Sequence, residues 1–297
     1  MNATIRCLLL PAPAKLNLFL HVTGRRPDGY HELQTLFRLV DLCDEVTVAL
    51  VDGPPGATLA DETDGPREGN LVLRAAERLL AALPGALASV RVGVRKVIPQ
   101  GGLGGGSSDA ASVLLGLNHL LGEPLDVAAL AALGRGLGAD VPVFVGGRNA
   151  WAEGIGDVLT PMAVPPAWYL ILSPGIEVPT ALVFAHLVKE RVSLTTHTPV
   201  MRMRASFAPA DLASGVRNDF ESLVRRLYPE VDRAFVWLSN RAPARLTGTG
   251  GCVFAAFDSE AAATQLASQV PAPWLGIVAQ GLESSPVHAL LSSPATS

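Results

Sequence analysis

Two charged residues and one glycine-rich segment have the types and spacing needed to do chemistry. Lys15 stands in an otherwise apolar strand pattern, and Asp140 follows a glycine-spaced helix end and precedes an apolar run, Val141 to Val145, that predicts a strand. Phosphoryl transfer requires an acceptor hydroxyl, a base for its proton, and positive charge near the phosphate oxygens. An ammonium beside Asp140 favours the carboxylate that acts as such a base. The simpler interpretations are a salt-bridged or snorkelling lysine and an aspartate that forms a turn or caps a helix.

The glycine-rich segment, Gly101 to Asp109, stands between a strand pattern and a helix pattern. The strand pattern ends at Pro99, and Ser107 or Ser108 is predicted to cap the helix that follows. Glycines let a bulky anion approach the backbone, and the first N–H groups of a helix favour negative charge. The segment therefore predicts a site for a di- or triphosphate, and the alternative is a flexible turn.

Two common nucleotide motifs do not fit this segment. A Walker-type loop ends in Gly-Lys-Ser or Gly-Lys-Thr, and the segment contains no lysine. The dinucleotide fingerprint needs a third glycine where Ser107 stands. Asp126 is at the distance of a ribose-binding acid, but it is predicted to be the N-cap of the next helix, as Asn70 is of the helical pattern that begins at Leu71.

Two further features have open interpretations. Tyr30 and His31 follow a turn at residues 27–29. They could bind a planar ring by stacking and hydrogen bonds, or they could simply cover the edge of a strand. The second glycine cluster, Gly248 to Gly251, is more typical of a hairpin turn than of a ligand loop.

Length and composition predict a globular protein with two domains. The chain has 297 residues, of which 49% are hydrophobic and 17% charged. Strand pairs precede helices in the first half, which favours an α+β fold over a doubly wound parallel sheet. The prolines between Pro161 and Pro166 predict a boundary, with domains at 1–162 and 163–297.

Charge, cysteine content and hydropathy limit the function classes. A net charge of −4 argues against a protein that coats nucleic acid. The three cysteines, Cys7, Cys43 and Cys252, are widely spaced and indicate a reducing compartment. The longest apolar runs are too short to span a membrane, so a cytoplasmic protein without membrane contact is predicted. Only Lys15, Lys96 and Lys189 are lysines among 23 basic residues.

Five segments together resemble the GHMP small-molecule kinases. In chain order they are Pro13 to Leu18, Arg26 to Thr35, Gly102 to Ala111, Gly138 to Phe144 and Leu246 to Gly250. The resemblance implies a two-domain GHMP kinase fold, with an N-terminal ATP-binding domain and a C-terminal substrate domain. The Asp-Gly-Tyr-His segment is similar to that of the members that phosphorylate a cytidine-bearing alcohol.

The resemblance also implies an activity and residue roles. The activity is ATP-dependent phosphorylation of the 2-hydroxyl of 4-diphosphocytidyl-2-C-methyl-D-erythritol in the non-mevalonate isoprenoid pathway, with Asp140 as base, Lys15 as charge stabiliser, and Mg²⁺ as metal. The implied ATP-binding residues are Asn70, Leu71, Pro99, Gln100, Gly101, Gly102, Leu103, Gly104, Gly105, Gly106, Ser107, Ser108 and Asp109. The implied substrate-binding residues are Asn17, Tyr30, His31, Thr180, Phe184 and Gly248.

Some points stay open at this stage. Three residues, Gln100 to Gly102, separate Pro99 from Leu103 where the family usually has four, which puts the backbone contacts to the β-phosphate in question. No acid pair has a spacing that assigns Mg²⁺ ligands, and Ser108 is the one candidate. Homoserine or mevalonate is an alternative substrate, and a nucleotide-binding regulator without chemistry is an alternative function. A monomer or weak homodimer without nucleic-acid partners is expected.

Overall fold

Two long antiparallel strands, β1 (Arg6–Arg25) and β2 (His31–Val51), organise the fold. The structure is a computed structural model that describes residues 6–293, apart from residues 84, 86 and 192–215. Residues 12–22 of β1 are all buried. Since alternate residues of a strand face opposite sides, β1 contributes to hydrophobic cores on both of its faces.

The described strands form two sheets. The first has the order β3-β4-β2-β5-β6, with β1 paired to β2, and only the β3–β4 pair is parallel. Its further strands are β3 (Gly56–Leu59), β4 (Ser89–Arg95), β5 (Ala150–Glu153) and β6 (Val158–Pro161). Its helices are α1 (Leu71–Ala81), α2 (Gly105–Leu120), α3 (Val127–Arg135) and α4 (Val141–Gly146).

The second sheet is antiparallel and has the order β10-β7-β9-β8. Its strands are β7 (Trp168–Ser173), β8 (Arg245–Leu246), β9 (Val253–Phe257) and β10 (Leu275–Gln280). The helices of this half are α5 (Thr180–Arg191), α6 (Glu221–Leu227), α7 (Pro229–Ser239) and α8 (Glu260–Ala267). The last helix, α9 (Pro286–Ser292), returns to pack on β1 and α2.

This arrangement is the predicted α+β fold. The predicted domain boundary at residue 162 stays a prediction, and it falls between β6 of the first sheet and β7 of the second. Two predicted helix caps are confirmed: Asn70 Oδ1 accepts the N–H of Val72 at 3.1 Å, and Asp126 Oδ1 accepts that of Ala129 at 2.8 Å.

Two local predictions are wrong. The helix after the glycine segment begins at Gly105 with Gly104 as its N-cap, because Gly104 adopts φ 75° and the N–H of Ser108 already bonds to Gly104 O at 2.9 Å. Neither Ser107 nor Ser108 is therefore the cap. The run from Val141 to Val145 forms α4 instead of a strand, since proline at the start of this segment favours a first helical turn.

Candidate active site

A cavity of about 790 Å³ lies between the two sheets, and all six predicted substrate-binding residues line it. The predicted residues that line it are Lys15, Asn17, Tyr30, His31, Gly102, Gly104, Asp140, Thr180, Phe184 and Gly248. Residues from strands, helices and two glycine loops thus converge on one space. Lys15 is the one lysine and Asp140 the one carboxylate side chain among the described residues that line the cavity.

Lys15 is held on the cavity side of β1 as a buried ammonium. Its side chain is 3% exposed, and Nζ donates to Asn17 Oδ1 at 2.5 Å and to Gly102 O at 3.0 Å. The third neighbour is Asp140 Oδ2 at 3.3 Å. An ammonium has three donors and no acceptor, so these three oxygens match its charged form. Burial excludes the snorkelling interpretation.

Asp140 stands at the N-cap position of α4, yet its side chain makes no capping hydrogen bond. The carboxylate is 33% exposed and lines the cavity while Lys15 holds one of its oxygens. The geometry does not support the interpretation of Asp140 as a helix cap. A carboxylate that is fixed by an ammonium and open to a cavity can accept a proton from a bound hydroxyl.

The two glycine loops pack backbone to backbone at the edge of the cavity. Residues 247–252 connect β8 to β9, as a hairpin turn does, and Cys252 N donates to Gly101 O at 3.2 Å. A Cβ on Gly101 would lie 2.7 Å from Gly251 Cα, and one on Gly102 would lie 2.3 Å from Thr247 O. Glycine is therefore required for this contact, and Gly248 lines the cavity beside Gly102.

The first turn of α2 lies next to both charged residues. A Cβ on Gly104 would lie 3.1 Å from Lys15 Cε, and one on Gly138 would lie 3.5 Å from Ser107 Oγ. No side chain caps this helix end, so its first N–H groups are not occupied by a capping oxygen. Uncapped N–H groups and the positive end of a helix dipole favour an anion at this position.

The remaining predicted ATP residues lie outside the cavity lining and surround this helix end. Leu71 lies at the start of α1, and its Cδ1 atom is 3.4 Å from the position that a Cβ atom on Gly106 would occupy. Asn70 caps α1, and its Nδ2 donates to Pro66 O at 2.9 Å. Ser108 and Asp109 are buried inside α2, and Ser108 Oγ has no hydrogen-bond partner among the described residues.

Lys96 is a cation near the glycine loop that the sequence analysis left without a role. Its Nζ donates to Asp44 Oδ2 and to Asp109 Oδ2, the second at a distance of 2.8 Å. The same Nζ lies 3.0 Å from the position that a Cβ atom on Gly105 would occupy. Asp44 Oδ1 also accepts the N–H groups of Val97 and Ile98. The expectation that positive charge comes from Lys15 and a metal is thus incomplete. The rarity of lysine in this chain was the available signal.

The Lys96 cluster shifts the protonation of its members. Burial, with help from Asp44, raises the pKa of Asp109 to about 7, although Lys96 opposes this shift. Burial lowers the pKa of Lys96, but Asp109 and Asp44 outweigh it and the net direction is upward. Two buried carboxylates share one ammonium here. One ammonium can balance the charge of only one carboxylate, so the charged form of the other is disfavoured.

An aromatic group forms the opposite end of the cavity. The rings of His31 and Phe184 lie 5.0 Å apart between centroids, and Phe184 packs edge-on against Phe220 at 4.8 Å. Tyr30 stands at the hairpin tip and is 61% exposed. Thr180 Oγ1 lies 2.8 Å from Thr249 Oγ1, which ties α5 to the second glycine loop.

Several lining residues were not predicted from the sequence. They are Leu20, Gly29, Leu33, Thr35, Phe37, Ala139, Ile155, Gly156, Ala181, Ala185 and Thr249. Residues 33, 35 and 37 alternate along β2, so its strand period was a usable signal for them. Ile155 and Gly156 connect β5 to β6, and no motif in the sequence marked that turn.

Comparison with known proteins identifies the family. The family described as GHMP kinases N terminal domain matches residues 70–148, and GHMP kinases C terminal matches residues 203–275. A protein of Marinobacter nauticus called 4-diphosphocytidyl-2-C-methyl-D-erythritol kinase is 47% identical over 96% of this chain and 98% of its own length. The chain belongs to the GHMP kinase family. The predicted family is therefore confirmed, and the protein is a small-molecule kinase.

Other relatives agree with this assignment. A Hahella chejuensis protein with the same name is 45% identical over 94% of this chain and 95% of its own. A crystal structure of 4-(cytidine 5'-diphospho)-2C-methyl-D-erythritol kinase superposes with a TM-score of 0.74 at 35% identity, covering 92% of this chain and 99% of its own. A homoserine kinase from Cytophaga hutchinsonii, at 18% identity and a TM-score of 0.63 over 96% of both chains, shares the fold.

Two kinds of feature are absent from the described residues. None of the helices between residues 6 and 293 that the structure describes is long and apolar enough to cross a membrane. In the same part of the chain, no three His, Cys, Asp or Glu side chains are grouped so that they could hold a metal ion.

Proposed function

We propose that this kinase transfers the γ-phosphoryl group of ATP to the 2-hydroxyl of 4-diphosphocytidyl-2-C-methyl-D-erythritol, giving the 2-phosphate and ADP in the non-mevalonate route to isopentenyl diphosphate. The observation that carries the proposal is the contact of Lys15 with Asp140 in a cavity beside the uncapped start of α2. The names of the full-length relatives support the substrate.

Asp140 accepts the proton of the 2-hydroxyl as that oxygen bonds to the γ-phosphorus and the bond from phosphorus to ADP breaks. Lys15 holds Asp140 in place and stabilises the negative charge that gathers on the transferred group. Holding the hydroxyl, carboxylate and phosphate together makes the step effectively intramolecular, which is a large part of the rate gain.

The ATP phosphates lie against the glycine loop, Gly101 to Gly106, and the first turn of α2, with the adenine near Asn70 and Leu71. Mg²⁺ is proposed to accompany ATP. The described residues do not supply a cluster of protein ligands for it, and Ser108 Oγ is buried within α2. We therefore assign no protein ligand and derive no step through the ion.

The cytosine is recognised at the aromatic end of the cavity. Because the rings of His31 and Phe184 already contact each other, we place the base against this pair and beside Tyr30 instead of between the two rings. Asn17 and Thr180 then face the erythritol part, and Gly248 leaves room for the diphosphate. The cytoplasmic location and the monomeric or weakly dimeric state remain proposals.

The experiment is a comparison of acceptors. Purified protein with ATP and Mg²⁺ is assayed for ADP release with the cytidyl substrate, mevalonate and homoserine in separate reactions. We expect kcat/KM for the cytidyl substrate to exceed the others by at least about a thousandfold, because a site built around polar contacts rejects ligands that leave them unmade. Equal turnover of mevalonate or homoserine would reassign the substrate, and ATP binding without transfer to any alcohol would indicate a regulator.

A further inference from the structure

The hydroxyl of Thr35 has a single arrangement of donor and acceptor. Thr35 lies on β2 opposite Leu20 and is 1% exposed. Its Oγ1 donates to the carbonyl oxygen of Phe19 at 2.5 Å and lies 2.8 Å from Asn17 Nδ2. A hydroxyl has one proton, and a carbonyl can only accept. Towards Asn17 the hydroxyl must therefore act as an acceptor.

This direction determines how the Asn17 amide is turned. An amide has an oxygen that accepts and a nitrogen that donates, and the two ends have nearly the same shape. Because Thr35 accepts, Nδ2 of Asn17 faces Thr35, and Oδ1 faces Lys15 Nζ at 2.5 Å. The opposite orientation of the amide would set its N–H against an ammonium and leave both donors without an acceptor at this contact, which is unfavourable for buried groups.

The amide oxygen is one of three acceptors around Lys15. The other two are Gly102 O at 3.0 Å and Asp140 Oδ2 at 3.3 Å. Three acceptors define the position of an ammonium, whereas two leave it free to rotate about the remaining pair. Thr35 thus acts on Lys15 through Asn17.

We propose that Thr35 is a positioning residue for phosphoryl transfer, because its hydroxyl sets the Asn17 amide and thereby the Lys15 ammonium. The inference rests on the proposed function. Thr35 ends one of the segments that carry the family resemblance, but it is not among the site residues that the resemblance implied. Its role follows from the direction of the hydrogen bonds within the chain. The alternative is that Thr35 is an ordinary core residue, whose loss lowers the stability of the protein without a specific effect on Lys15.

The test compares Thr35→Val, which keeps the shape and removes the hydroxyl, with Thr35→Ser, which keeps the hydroxyl. We expect Thr35→Val to lower kcat at least about tenfold, because the Asn17 amide is no longer held with its oxygen towards the Lys15 ammonium. KM for ATP should change less than about twofold. Thr35→Ser retains kcat within about threefold. Equal kcat in Thr35→Val and the unchanged chain, or equal losses in both variants, would overturn the proposal.

A double-mutant cycle separates this role from a general loss of stability. In a Lys15→Met background the Asn17 oxygen has no ammonium to position, so adding Thr35→Val should lower the residual rate by less than about twofold. If Thr35→Val costs the same factor with and without Lys15, Thr35 does not act through Lys15. Thermal unfolding of each variant confirms that the compared proteins are folded.

A third measurement does not depend on turnover. An amine-reactive acylating reagent is applied to the folded variants, and labelling of Lys15 and Lys96 is followed by peptide mass spectrometry. We expect Lys15 to label at least about threefold faster in Thr35→Val than in Thr35→Ser, with Lys96 unchanged, because Lys15 depends on the Asn17 amide for an acceptor and Lys96 does not. Equal labelling of Lys15 overturns the positioning role. Lack of phosphoryl transfer by the unchanged chain overturns the proposed function, so the two failures are distinguishable.

Discussion

The ammonium nitrogen of Lys15 lies 3.3 Å from Oδ2 of Asp140, inside a cavity between the two sheets. The two residues come from β1 and from the start of α4. Lys15 has its remaining donors on Asn17 and Gly102, whereas Asp140 keeps an exposed face. The pair therefore combines a fixed cation with an accessible base.

Lys15→Arg should lose most turnover although it keeps the positive charge. Three oxygens converge on one nitrogen at this site, and the planar guanidinium of arginine cannot place its donors in that way. We expect kcat to fall about a hundredfold, as after removal of one transition-state donor. Initial rates of ADP release with saturating substrates measure kcat for both proteins. Near-complete turnover of Lys15→Arg would show that charge alone is sufficient.

Gly102→Ala should weaken both stability and ATP binding. Gly102 has φ 80°, and its added Cβ would lie 2.3 Å from Thr247 O. A left-handed backbone costs a residue with a Cβ about 1–2 kcal/mol before this clash is counted, so Tm should fall by several degrees. Gly106→Ala is the matched control for stability, because the nearest atom to its Cβ is 3.4 Å away. Equal melting temperatures for the two variants would contradict the packing of the glycine loops.

Asp109→Asn should change the pH dependence of stability. Burial raises the pKa of Asp109 from its model-peptide value of 3.8 to about 7. The folded protein therefore holds this proton more tightly than the unfolded chain, and the stabilisation is complete below pH of about 4 and lost as pH rises through about 7. Over this range the unchanged chain should lose unfolding free energy relative to Asp109→Asn. Urea unfolding at several pH values measures the difference, and parallel curves would disprove the raised pKa.

Tyr30→Ala should affect substrate recognition without affecting stability. Tyr30 is 61% exposed, so its removal leaves the core intact. Loss of an aromatic contact with the base should raise KM for the cytidyl substrate about tenfold while KM for ATP stays within about twofold, given the usual energy of aromatic contacts. Steady-state kinetics with each substrate varied in turn give both constants. An unchanged KM for the cytidyl substrate would remove Tyr30 from the recognition site.

Sequence patterns could predict the elements that carry local signals. Asn70 and Asp126 were found because a helix N-cap leaves a recognisable residue type at a fixed place. The start of α2 was mislocated by the serines at 107 and 108, since a glycine in the left-handed conformation can begin a helix without any side-chain cap. The short apolar run after Asp140 was ambiguous, because a buried strand and a buried helix can both have a short run of consecutive apolar residues.

The candidate site was partly accessible from sequence and partly not. Lys15 and Asp140 were identified by residue type and context, but the contact between them depends on tertiary packing, which sets α4 against α2 and α3. The role of Thr35 could not be predicted from its place on a strand or in a family segment, because its effect comes from the direction of one hydroxyl proton in a folded network. Lys96 was visible as a rare lysine, yet its two carboxylate partners are distant in sequence.

The most direct test of the account is ³¹P detection of the product with ATP, Mg²⁺ and the cytidyl substrate. The unchanged chain should form one new phosphomonoester for each ADP released. Asp140→Asn should lower this rate by about 10²- to 10⁴-fold, the usual contribution of a general base, whereas Asp126→Asn, a helix cap far from the cavity lining, should retain it. Full turnover by Asp140→Asn, or ADP release without a phosphomonoester, would contradict the proposed mechanism.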